Sequence, residues 1–156
     1  MKEIIKFSEE VAKKEYIKHD SEHQWSHVEE VMGVAFKLVK FYPKVDLEIL
    51  KLAIIFHDVI YNQYETHVED SAKFAEEFLR KQDYPEEKIK NVVKVIFAHS
   101  GPHRRINGET NLIEGKIIYD SDKFRIAFTA EGYKKYYPRF YLNETRKMID
   151  QNFLLK

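Results

Sequence analysis

The chain has no cysteine among its 156 residues, only five glycines and four prolines, and no net charge, since 26 Lys and Arg balance 26 Asp and Glu. The first absence excludes disulfides and thiolate metal sites, so any metal ligand must be His, Asp or Glu. Scarce Gly and Pro leave few turn signals and argue for long regular elements. Zero net charge removes a whole-protein field for nucleic acid or membrane surfaces, so nucleic acid is an unlikely partner and anion binding must be local. No run approaches the ~20 apolar residues of a membrane helix. The start, "MKEIIKFSEEVAKK", is charged every few residues, unlike a signal peptide. A soluble, cytoplasmic protein is expected.

What is present is an apolar pattern with spacings of three and four, the mark of amphipathic helices. Ile4, Ile5, Val11, Ala12 and Tyr16 predict a first helix, and residues 25–41 a second. A third opens at Asp46, whose carboxylate suits an N-cap, and runs toward His57. Thr66 with Glu69 reads as a capping box opening a fourth. Pro85 suits the first turn of a fifth, which the Gly- and Pro-bearing "SGPHRRINGET" then breaks. A sixth is expected over residues 111–128 and a last over 142–155. The expected fold is all-α, a single-domain bundle of about six to seven helices over residues 1–156.

Into this apolar framework the sequence places a few polar residues that are costly to bury alone. "LAIIFHDVIYN" embeds His57 and Asp58 in an apolar run. His27 lies on the second helix, His99 ends the fifth, and Asp120 or Asp122 lies on the sixth. A buried carboxylate calls for a cation, and histidine is a common co-ligand. Adjacent helical residues point about 100° apart, so His57 and Asp58 can share one ion only where the helix ends. Histidine and carboxylate without thiolate suit Mn, Fe, Co, Ni or Zn, or Mg if oxygen dominates. "HSGPHRR" puts His103, Arg104 and Arg105 on a loop just after His99, a cluster suited to an anion. "YKKYYPRFY" reads as a packing or dimer face.

The ordered set His27, His57–Asp58 and Asp122 resembles the HD-domain superfamily of metal-dependent phosphohydrolases. "HQWSHVEEVMGVA" resembles its first motif, "LAIIFHDVIYN" its second, and "EGKIIYDSDKF" its final aspartate segment. The likeness covers about residues 20–128. It implies His27, His57, Asp58 and Asp122 as ligands of a divalent metal, with Asp120 and His23 supporting them from behind. Asp58, Glu65 and Asp120 are then the catalytic candidates, Glu65 as a general base; Glu69 is more simply the capping-box residue. His99, His103, Arg104 and Lys123 are candidates for holding substrate phosphate, with His99 also a candidate ligand of a second metal. The implied reaction is hydrolysis of a phosphoester, of the nucleotide class, by a metal-activated water. A degenerate HD domain acting as a nucleotide-binding or regulatory module is the alternative. Homo-oligomerisation is left open.

Overall fold

The computed structural model describes residues 2–62 and 66–154. Among them the chain forms nine α-helices and no strand: α1 (Lys2–Tyr16), α2 (Trp25–Val39), α3 (Leu47–Phe56), α4 (His67–Lys81), α5 (Glu86–Ala98), α6 (Gly101–Asn107), α7 (Ile113–Lys123), α8 (Ala130–Tyr136) and α9 (Asn143–Leu154). From Leu52 onward helix α3 is apolar on every side, and Leu50, Leu52, Ala53, Ile54, Ile55 and Phe56 have no exposed surface. Such a helix must sit at the centre of a bundle. It packs against α1, α2, α4, α5 and α7, so everything borne at its C-terminal end is delivered into the interior. Asp46 caps its start, accepting from the Glu48 and Ile49 amides at 3.1 Å. None of the helices is long and apolar enough to cross a membrane.

Nine helices exceed the expected six to seven because two short ones form where glycine and proline suggested breaks. In α6, the Ser100 hydroxyl accepts from the His103 amide and Pro102 occupies the first turn, where its missing N–H costs nothing. In α8, Thr129 accepts from the Gly132 amide. The helix expected over 111–128 ends at Lys123, after which i to i+3 bonds at Ala127 and Phe128 tighten the chain into a 3₁₀ turn, Ile126–Phe128. Gly115 sits inside α7 because a Cβ there would come within 2.7 Å of Thr110 and 2.9 Å of Ala98. The capping box at Thr66 does not form. Its hydroxyl instead donates to Asp70 at 3.2 Å, and Glu69 is exposed. Of the "YKKYYPRFY" stretch, Tyr133, Tyr136 and Tyr137 pack around a small second cluster of Ala127, Phe140 and Ile149, while Tyr141 packs against the main core.

Candidate metal centre

The site begins with the way α3 ends. Tyr16, fully buried on α1, donates its hydroxyl to the Ile55 carbonyl at 3.0 Å and accepts from the Asp58 amide at 3.3 Å. One phenol thus satisfies both a last-turn carbonyl and the amide that leaves the helix, groups that otherwise go unpaired in the interior. The chain departs from helical geometry just after His57, which meets the geometric condition for His57 and Asp58 to face a common point. Ser71 holds the departing segment, accepting from the Ile60 amide and donating to its carbonyl, both at 3.0 Å.

Around that point α2 brings His27 and α7 brings Asp122. His27 Nε2 lies 2.8 Å from Asp122 Oδ1 and 3.3 Å from His57 Nε2. His57 Nε2 lies 3.4 Å from Asp58 Oδ2 and 3.6 Å from Asp122 Oδ1. One ligand atom from each of the four residues falls within 4.8 Å of the others. The Asp58 and Asp122 side chains are each only 8 % exposed, too little for water to carry two carboxylates.

The protons on these rings can be assigned by elimination. His57 Nδ1 is 2.7 Å from the Ile54 carbonyl, and His99 Nδ1 bonds the Ile96 carbonyl. A carbonyl only accepts, so both Nδ1 atoms carry hydrogen, and a neutral ring then presents Nε2 as a lone pair. Those lone pairs face carboxylate oxygens. Acceptor against acceptor at such distances is stable only if a cation intervenes, either a proton on the ring or a metal ion. Burial pushes the His57 pKa down, yet the Asp58 and Asp122 carboxylates outweigh it and lift the value to about 9. Burial also works to raise the carboxyls, but His57 and His99 hold Asp58 well below its ordinary range. Lys123, His27 and His57 do the same for Asp122. The donor set of nitrogen and oxygen therefore fits a divalent ion.

Asp58 has a second oxygen. Its Oδ1 is buried and accepts no hydrogen bond, with His99 Nε2 at 3.3 Å and His67 Nε2 at 3.8 Å. Asp58, His67 and His99 thus make a second group able to hold a cation, sharing one carboxylate with the first. Burial lowers the His99 pKa and keeps its lone pair available. Sequence reasoning passed over His67, whose segment reads as a helix start; its position ten residues after His57, opening the next helix, was the available signal.

The other candidates divide. Lys123 reaches Asp122 Oδ2 at 2.5 Å beside a cavity of about 650 Å³ whose floor holds His27, Asp58, His67, His99 and Asp122. His23, bonded to Asp20 at 2.8 Å, stacks on Tyr61 with ring centroids 3.7 Å apart and walls the same cavity. Arg125, not singled out from the sequence, lies at its mouth, 3.3 Å from Glu30. Glu65 lies outside the described residues.

Three placements depart from expectation. Asp120 is turned away from the cluster: it accepts from the Tyr141 and Leu142 amides at 2.9 and 3.0 Å and from the Thr145 hydroxyl at 2.6 Å, fastening the start of α9. It supports none of the four ligands. Arg104 donates to the Arg139 carbonyl at 2.6 Å and to Glu109 at 2.7 Å, and its guanidinium lies 4.0 Å over Tyr141, leaving no fork for a phosphate. His103 packs on Phe97 and lines a separate cavity with Arg104, because the supposed loop is helix α6 and turns both outward.

With that geometry in hand, comparisons with known proteins agree. A family model described as the HD domain matches residues 25–126. A crystal structure of a predicted HD superfamily hydrolase from an uncultured Thermotogales bacterium shares the fold, with a TM-score of 0.67 and 22 % identity over 99 % of this chain and 86 % of that one. No curated protein matches the chain.

Proposed function

The chain belongs to the HD-domain family, and from that premise we propose that it is a metal-dependent phosphohydrolase acting on a small phosphoester of the nucleotide class. One observation carries the reading: His27 from α2, Asp122 from α7, and His57 and Asp58 at the end of α3 turn acceptor atoms toward one point beside an open cavity. The structural neighbour, a predicted hydrolase by its own description, supports the same reaction class. His27, His57, Asp58 and Asp122 would hold the divalent ion, which supplies a Lewis acid and lowers the pKa of a water.

The remaining work falls to the chain's own groups. Lys123 neutralises Asp122 and brings positive charge to the cavity wall. Arg125 at the mouth is placed to fork a phosphate, the role Arg104 cannot fill. His99 Nε2, with its lone pair available and 3.3 Å from Asp58 Oδ1, is the acceptor for a proton leaving the attacking water, and Asp58 stabilises the imidazolium that forms. Alternatively, Asp58, His67 and His99 hold a second cation, and the two arrangements differ in metal stoichiometry.

The test is a screen of phosphomonoesters and nucleotides with Mn, Ni, Co, Fe, Zn and Mg added in turn to metal-stripped protein. Turnover that requires a metal and disappears in Asp122→Asn supports the proposal. Tight metal and nucleotide binding without turnover would instead make it a binding or regulatory module.

A further inference from the structure

A second groove opens on the far side of His27 and Asp122. It encloses about 350 Å³ between α2 and the turn after α7, and it shares His27, Asp122 and Arg125 with the main cavity. Its character differs from that cavity. Val34, Phe124 and Phe128 supply apolar walls, the two rings meeting edge to face with centroids 5.2 Å apart. Apart from Asp122 on the shared wall, its charges are Arg125 paired to Glu30, and Lys37 on the next turn of α2.

Two details show that the groove is kept open and carries a polar reader. Gly33 stands in the middle of α2 at an exposed position, where glycine costs about 1 kcal/mol relative to alanine. Its φ is not positive, and a Cβ built there meets nothing within 4 Å, so neither backbone nor close packing accounts for it. What the missing side chain leaves is space in the groove. Ser121 lines the same groove, 3 % exposed, and its Oγ has no hydrogen-bond partner. An unpaired buried hydroxyl is costly unless something completes it.

We propose that this groove is the subsite for the heterocyclic base of the substrate, with Ser121 bonding an edge of that base and Phe124 and Phe128 packing against it. The inference rests on the phosphohydrolase reading. Its logic is that a flat, largely apolar group with hydrogen-bonding edges satisfies both the aromatic walls and the hydroxyl. A charged group meets apolar walls, and a saturated hydrocarbon leaves Ser121 unpaired. Because Arg125 lines both the groove and the main cavity, a base lodged here would carry its phosphate past Arg125 toward the cluster.

The experiment uses nucleosides, which lack phosphate and so report on the groove apart from hydrolysis. Adenosine, guanosine, cytidine and thymidine are titrated into the full chain while the amide resonances of Gly33, Ser121, Phe124 and Phe128 are followed. At least one nucleoside should shift these resonances, and Gly33→Met, which fills the groove, should weaken its binding about tenfold. Gly33→Ala, which fills less and favours the helix, should fall between. With metal-loaded protein, Gly33→Met should also lower the ratio of kcat/KM for the matching nucleoside monophosphate over glycerol 2-phosphate by about the same factor. If all four nucleosides leave the groove resonances unmoved, or move them equally in wild type and Gly33→Met, the subsite is wrong. Failure of the wild type to cleave any phosphoester would sink the hydrolase reading, while the nucleoside titration would still decide the groove.

Discussion

Asp120 and Asp122 stand two residues apart on α7, and nothing about residue type separates them. Two steps along a helix turn the side chain by about 200°, so one face of α7 takes Asp120 and the other Asp122. Asp120 meets three donors from the start of α9 and is complete. Asp122 meets its neighbour Lys123 and, across a shared gap, His27 and His57 from elsewhere in the chain. The same contrast separates His99, buried against Asp58, from Arg104, five residues on, whose guanidinium already has its partners. A polar side chain is available for chemistry where its neighbours leave it incomplete, and is a fastening where they complete it.

Asp58 faces both groups of ligands, so its loss should have the largest effect. Asp58→Ala should abolish metal binding and lower turnover by about 1,000-fold or more, with helical circular dichroism retained. Metal content equal to wild type would break the contrast at its strongest point. The paired aspartates come next. Asp122→Asn should weaken metal affinity by roughly 100-fold or more in a competition titration. Asp120→Asn should leave that affinity alone and instead lower stability by about 3 kcal/mol, because a buried amide cannot serve three donors. A reversal of the two outcomes would mean that the faces of α7 are misassigned.

Much of this was legible in the sequence, for identifiable reasons. The apolar periodicities gave the long helices, and Asp46 caps α3 as its residue type suggests. His27, His57 and Asp58 stood out because each interrupts an apolar pattern, Asp122 was preferred to Asp120 through the family resemblance, and the structure brings those four together. What the sequence could not convey was facing. Asp120 and Asp122 differ only by rotation, and Arg104 looks like an anion site until Glu109, Tyr141 and the Arg139 carbonyl close on it. His67 was hidden because it opens a helix and breaks no pattern. The short helices α6 and α8 formed because Ser100 and Thr129 cap them, a local effect that outweighed nearby glycine and proline.

Smaller effects sharpen the comparison. Arg104→Ala should cost about 2 kcal/mol of stability, read as a denaturant midpoint, while leaving KM for a phosphorylated substrate unchanged. A raised KM would return Arg104 to the site. In metal-free protein the His57 contribution has a definite sign: its folded pKa of about 9 exceeds the unfolded 6.5, so the stabilisation is full below 6.5 and fades as pH rises through 9. Thermal melts of chelator-treated protein across that window check it, and added metal should flatten the slope. Smallest is Tyr16→Phe, which keeps the ring but leaves the Ile55 carbonyl and the Asp58 amide unpaired. It should cost about 1 to 2 kcal/mol and loosen metal binding modestly, since it positions Asp58 without touching the ion.

The most direct test of the central claim is elemental analysis of the purified protein beside its Asp58→Ala variant, each with and without prior exposure to Mn or Ni. The account predicts at least about one equivalent of a divalent transition metal in the wild type and none retained in the variant. Equal content in the two proteins, or none in either after exposure, would contradict it and leave Asp58 a core carboxylate held by histidines.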